Sequence, residues 1–178
     1  MHQTVLQFWF HEVAPANWWK VNAEFDHLIL ERFSELHARA IRSELFDWRA
    51  EPKGRLAEII VLDQFSRNMY RGTRLAFAAD ATALALAQVA VAAKADLTLS
   101  PEERVFLYMP YMHSESRLIH EIAERLFKEH GPKGNYEFEL RHKAIIDQFG
   151  RYPHRNAMLG RESTEEEIAF LAKPGSSF

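Results

Sequence analysis

The stretch Ala76-Phe-Ala-Ala-Asp80-Ala-Thr-Ala-Leu-Ala85-Leu-Ala-Gln-Val-Ala90-Val-Ala-Ala93 decides the fold, because two regular structures compete for it. Within it, Ala83-Leu-Ala-Leu-Ala87 alternates as a strand would. Both alternating faces are apolar, however, so a period of two distinguishes nothing. Alanine is the best helix former, and the run is longer than an ordinary strand. It is read as a helix packed closely on its neighbours. Asp80 and Gln88 lie within it, so it falls short of a clean membrane span.

The rest of the chain agrees. Only 7 of the 178 residues are glycine, about 4% against an average near 7%. Most sit where an element should begin or end, as Gly72, Gly131, Gly134, Gly150, Gly160 and Gly175 do, with Gly54 the exception. Asn-Gly and Asp-Gly hairpin signals are absent from the sequence. The expected fold is all-α: about eight or nine helices in an irregular array of antiparallel helical hairpins.

The boundaries follow from capping chemistry. Thr4–Phe10 reads as a short buried helix, with a strand the alternative, and Pro15 ends it. Asn17 is an N-cap for a helix reaching about Glu44, with Phe25, Leu28, Ile29, Phe33 and Leu36 at helical spacing. Pro52 suits the first position of the helix containing Leu56–Phe65. Ser100-Pro-Glu-Glu103 is a capping box whose helix should end by Pro110, leaving an irregular corner at 108–115. A helix from Ser114 or Ser116 runs to His130, another covers 136–149, and Ser163-Thr-Glu-Glu166 opens a last one to about Leu171. A single domain spans 1–172, and a frayed tail covers 173–178.

Composition bounds the function. There are 22 Lys+Arg against 25 Asp+Glu, a formal charge of −3, so no global field favours nucleic acid or an anionic membrane. The sequence has no cysteine, which removes disulfides, thiolate zinc sites, iron–sulfur clusters and Cys nucleophiles. No basic stretch precedes an apolar one at the start, so a cytoplasmic location is expected. The Gly-x-x-x-x-Gly-Lys, Gly-x-Gly-x-x-Gly and Gly-x-Ser-x-Gly motifs are all missing, which argues against nucleotide-driven and serine-hydrolase chemistry.

One internal echo stands out. Asp63-Gln-Phe-Ser-Arg67 recurs as Asp147-Gln-Phe-Gly-Arg151, each copy closing an apolar helix and trailed by Arg and Asn: Asn68 with Arg71, and Arg155 with Asn156. Asp and Arg four apart share a helix face. Either the copies pair two helix ends in the core, or they line a shared polar cleft. In the second case Asp63 is expected to serve Arg151, and Asp147 to serve Arg67, with His154 and Arg155 nearby. Arg74 and Arg161 are read as neutralised by neighbouring acids.

Four strings carry a resemblance: Phe8-Trp9-Phe10; Leu62-Asp-Gln-Phe-Ser-Arg-Asn68 with Arg71-Gly-Thr73; Tyr108-Met-Pro-Tyr-Met-His-Ser-Glu115; and Phe149-Gly-Arg-Tyr-Pro-His-Arg-Asn156 with Leu159-Gly-Arg161. From about residue 4 to 171 the chain resembles the bacterial family called domain of unknown function 924. The resemblance implies an all-α fold of the tetratricopeptide-like helical superfamily, and it implies no activity. The tetratricopeptide signature, with its repeat of about 34 residues, is absent from the sequence.

Other residues invite chemistry. Glu24-Phe-Asp-His27 and Glu139-Leu-Arg-His142 match the Glu-x-x-His pattern of di-iron bundles. About one match is expected by chance at this composition, so no metal is expected, and no cofactor either. His113 and Glu115 stand at the corner as base and orienter, with Glu115 also suited to the first turn of the next helix. The four tryptophans, Trp9, Trp18, Trp19 and Trp48, should clamp the N-terminal helices on the core. Adjacent Trp18 and Trp19 cannot both point inward on one helix, which leaves one for a groove or a subunit contact.

Two functions remain. The first is a helical binding module holding a small anionic ligand or an acidic peptide through Arg67, Asn68, Asp147, Arg151, Arg155 and Asn156. The second is an acid–base enzyme using His113, His154 and Glu115 or Asp63 on a small anionic metabolite. A self-associating homo-oligomer is compatible with either.

Overall fold

A computed structural model describes residues 1–176, and among them the regular structure is entirely helical. Helix α1 (His2–Gln7) runs directly into a π-helical turn, Phe8–Glu12, closed by Val13 N–H donating to the Phe8 carbonyl at 3.0 Å. The opening segment is therefore helical, and Phe8 and Trp9 are fully buried. A short 3₁₀ turn, Pro15–Asn17, precedes α2 (Ala23–Ile41). The expected cap moves from Asn17 to Asn22, whose side-chain oxygen accepts from Glu24 N and Phe25 N at 3.0 and 3.2 Å. Pro15 starts a separate turn, so a helix from Asn17 is not continuous with α2.

The centre of the molecule is a rod made of α3 (Pro52–Ile60), a π-helical turn (Val61–Phe65) and α4 (Ser66–Met69). Pro52 starts it at N1 as expected. Every residue from Leu56 to Ser66 is buried, because the rod packs against α1, α2, α5 (Asp80–Ala92) and α6 (Pro101–Met112). Two polar groups inside it are matched locally. Arg49 donates to both oxygens of Glu58 at 2.8 and 2.7 Å, and Ser66 Oγ donates to the Leu62 carbonyl while pairing with His37 Nε2 at 2.8 Å.

The alanine-rich stretch is α5, with Ala83, Ala87 and Ala90 buried. The longer run Arg74–Ala92 meets the length and apolarity of a membrane span by composition alone, although the shorter run read from the sequence fell short of a clean one. In this fold the small residues permit close approach to α3 and α6. Helix α6 opens with the expected Ser100/Glu103 capping box. It then passes through Pro110 to Met112, contrary to the expected stop. Residues 105–112 are all buried, so packing on every side outweighs the one backbone donor that Pro110 lacks.

Helices α7 (Arg117–His130) and α8 (Lys133–Phe149) pack on each other and on α6. Gly150, at φ +70°, ends α8 in the left-handed region. Helix α9 (Asn156–Leu159) and α10 (Glu165–Leu171) follow. The last capping box is Thr164/Glu167, one residue later than expected. Of the tail expected to fray, residues 173–176 form turns, with Ser176 Oγ donating to the Leu171 carbonyl at 3.1 Å. Residues 177–178 lie outside the described residues.

Candidate functional site

The π-helical turn in the central rod sets the site. Inserting one residue into a helix shifts the faces that follow it, and such turns recur at functional sites. Here the turn carries Asp63 and Gln64. The Asp63 side chain is fully buried and accepts three hydrogen bonds: from His113 Nδ1 at 2.8 Å, Arg67 Nη1 at 3.0 Å and Gln64 Nε2 at 2.6 Å. Burial alone pushes the carboxyl up, but Arg67 and His113 outweigh it and hold Asp63 ionised, below the usual carboxylate range.

An ionised carboxylate can only accept, so the His113 nitrogen facing it carries the proton. Burial, reinforced by the Arg67 charge, holds His113 below its ordinary value despite Asp63. The ring is thus neutral at pH 7, with Nδ1 committed to Asp63 and Nε2 an acceptor. His113 caps α6 at its C-terminal end, where the chain turns toward α7. The irregular corner therefore exists, two residues later than the sequence suggests.

Arg67 is closely bound. Besides Asp63 it reaches Asp80, at the start of α5, through two bonds of 2.9 and 3.0 Å. Asp80 is shared with Arg155, in the 3₁₀ turn Pro153–Arg155, by a longer contact of 3.3 Å. Arg155 is buried, and its guanidinium lies between the rings of Phe77 and Tyr152, 4.7 and 4.6 Å from their centroids. Its buried Nε makes no hydrogen bond among the described residues. At the rim, Arg71 forks onto Asp26, which also accepts from Asn68 Nδ2 at 2.7 Å.

These groups form the polar end of a cleft of about 860 Å³. Its floor is one face of α6: Glu102, Val105, Phe106, Met109, Met112 and His113. Trp18 and Trp19 wall the other end, and Trp19 stacks on Phe106 with 7° between the rings. Trp19 thus takes the groove position open to one of the adjacent pair, while Trp9 is buried and Trp18 donates Nε1 to the Trp9 carbonyl. A second cavity of about 530 Å³ meets the first at Phe77, His113 and Arg155, which line both.

The second copy of the echo lies elsewhere. Asp147 is exposed and pairs with Lys143 at 2.7 Å. Arg151 forks onto Glu167 of α10 at 2.7 and 2.8 Å. The expected cross-pairing of Asp63 with Arg151 and of Asp147 with Arg67 does not occur. Gly150 breaks α8 right after Phe149, whereas the first copy continues as α4, so the two arginines leave their helices in different directions. Asn156 is buried against Ser163, Glu167 and Arg161. Glu115 is held by both terminal nitrogens of Arg161, 2.7 and 2.9 Å away, and by Tyr152 N–H. It orients the 152–161 segment rather than His113.

Of the named candidates, Arg67, Asn68, His113, His154 and Arg155 line the cleft, and Asp63 lies buried behind His113. Burial lowers His154 to about 4 and His142, which also lines the cleft, to about 3. Sequence reasoning missed Gln64, Phe77 and the α6 stripe. The spacing 102, 105, 106, 109, 112, 113 is a helical face, legible once Pro110 is allowed inside a helix. The Glu-x-x-His pairs are separate: His27 meets Glu31 on the surface, while Glu139 pairs with His120 Nδ1 at 2.7 Å in the interior. Among the described residues no three His, Asp or Glu side chains converge as metal ligands.

A family model described as "Bacterial protein of unknown function (DUF924)" matches residues 5–175. A solved structure, described as that of a protein of unknown function, ATU0120, from Agrobacterium tumefaciens, is similar at 34% identity. It covers 96% of each chain with a TM-score of 0.91. Among curated proteins no match is found.

Proposed function

The chain belongs to the bacterial DUF924 family, and from the geometry of the cleft we propose that it binds a small anionic ligand at Arg155, with Arg67 beside it. Arg155 is the observation that carries this reading. A guanidinium has five N–H donors, and this buried one makes a single long contact to a carboxylate already forked onto Arg67. Burying such a group with donors unmet costs stability, and an anion at Arg155 relieves that cost. The donors converge at one end of the cleft, which favours a compact anion over an extended acidic peptide needing cations spaced along a groove.

A thermal-shift series with acetate, phosphate and citrate tests this, using the wild type, Arg155→Lys and Arg155→Leu. A ligand at 100 times its dissociation constant should stabilise by about 2.7 kcal/mol. Arg155→Leu should abolish the response and Arg155→Lys should weaken it. An equal response in all three proteins, or none in the wild type, refutes the reading.

A second reading, acid–base catalysis, is favoured by the Asp63–His113 contact. A buried carboxylate fixing one ring nitrogen leaves the other as an oriented base, beside two guanidinium groups suited to developing negative charge. On this reading Asp63 positions and His113 accepts the proton. His113→Gln then removes turnover of a bound metabolite while preserving its affinity.

A further inference from the structure

Resting on that binding site, we infer that the ligand is an amphipathic organic acid, whose anionic head meets Arg155 and whose apolar body lies along α6 toward Trp19. The cleft is graded in polarity. From Val105 to His113 its floor runs eight residues of α6, about 12 Å at the helical rise, and the residues between are Phe106, Met109 and Met112. Nothing about an anion alone requires that floor. A compact anion such as phosphate leaves the apolar part of the cleft wet.

The far end is built for apolar contact rather than closed off. Trp19 is 56% exposed although it lies flat on Phe106, so an indole face stands at the lip of a cleft instead of in the core. Large apolar side chains held against a groove and still open to water mark a binding surface. Methionine is unbranched and polarisable, and Met109 and Met112 can adapt to a flexible chain. At the opposite end Gln64, Arg67, His113 and Arg155 are joined through Asp63 and Asp80, whereas near Trp19 the charged lining residues, Lys20 and Glu102, are exposed at the open lip. One charged head and one linear apolar tail fit that gradient, and a cation or a uniformly polar metabolite does not.

Isothermal titration calorimetry with butyrate, octanoate, octyl phosphate and octylamine separates the possibilities. Each buried methylene contributes about 0.8 kcal/mol, roughly a fourfold change in affinity, so octanoate should bind on the order of 100-fold tighter than butyrate. Octylamine should not bind. Trp19→Ser should weaken octanoate about tenfold and leave butyrate unchanged. Octyl phosphate tighter than octanoate assigns the head as phosphate, and the reverse assigns it as carboxylate. If butyrate and octanoate bind equally and both need Arg155, the anion site stands and the amphipathic assignment is overturned. If no anion binds, both fail. If octylamine matches octanoate, the head assignment is wrong.

Discussion

Replacing Asp63 by Asn tests the centre of the site while nearly preserving its shape. The carboxylate accepts from His113, Arg67 and Gln64 at 2.8, 3.0 and 2.6 Å with no exposure to solvent. Removing one partner of a buried charged pair costs about 3–5 kcal/mol. Arg67 retains both bonds to Asp80 and the bond to the Asp63 main-chain carbonyl, so its charge is not stranded. The loss should therefore lie at the low end, about 3 kcal/mol at pH 7. For a chain of this size that lowers Tm by roughly 6–12 °C. Asp63 has its folded pKa depressed below the unfolded value near 3.9. Its contribution is therefore complete above about pH 4 and is lost as pH falls toward the folded value. Urea denaturation of both proteins from pH 8 to pH 3 should give a constant gap that narrows only at the acid end. In parallel, ¹⁵N spectra of the His113 ring should show the proton on Nδ1 in the wild type and a mixture of tautomers in the variant. A gap below 1 kcal/mol at neutral pH, or one that does not narrow in acid, refutes the account of Asp63 as an ionised partner of both groups.

Gly54→Ala should destabilise, although helix propensity alone favours it by about 1 kcal/mol: the added Cβ would stand 2.0 Å from the Trp48 carbonyl oxygen, and overpacking of about 1–3 kcal/mol wins. A raised denaturation midpoint contradicts this. Arg151→Leu should leave any anion response intact and speed hydrogen exchange in α10, whose Glu167 carboxyl Arg151 holds down at about 2; loss of the anion response would restore the two-copy cleft. Stability should also fall as pH drops from about 6.5 toward 4, because His154 and His142 have folded values of about 4 and 3, and the unfolded chain takes up those protons first. Calorimetry giving a flat Tm between pH 7 and pH 4.5 speaks against buried neutral histidines.

The sequence carried the helices and their starts far better than the site. Pro52, Ser100 and Gly150 mark boundaries by local chemistry, which a neighbourhood of four residues contains. Pro110 misled because its cost is set against packing of residues distant in the chain. The echo was real as a pattern and misleading as a symmetry. Whether a helix goes on past the motif, as after Asp63, or stops at a glycine, as at Gly150, decides where the following arginine points. Asp63 and Arg67 were legible as an i,i+4 pair on a buried helix. Asp80 was legible only as an acid, because its two arginine partners come from 13 positions before it and 75 after it. The π-helical turn that carries Asp63 and Gln64 has no sequence signature.

What separates a structural ion pair from a binding group here is whether its donors are used up. Arg49 with Glu58, Arg151 with Glu167 and Arg161 with Glu115 are all forked pairs that hold two elements together. Each guanidinium fork in them meets a carboxylate of its own. Well-packed apolar residues could replace such buried pairs at little cost to stability, so burial of charge by itself says nothing about function. Arg155 differs in kind. It is itself buried, whereas the arginines of those pairs are each about a quarter exposed, yet it borrows one oxygen of an acid that already serves Arg67, and two aromatic rings flank it. A fold selected only for stability would fill that position with an apolar side chain of similar volume. A rigid guanidinium with unspent donors, next to an imidazole held neutral, is instead an arrangement completed by something the chain does not itself contain.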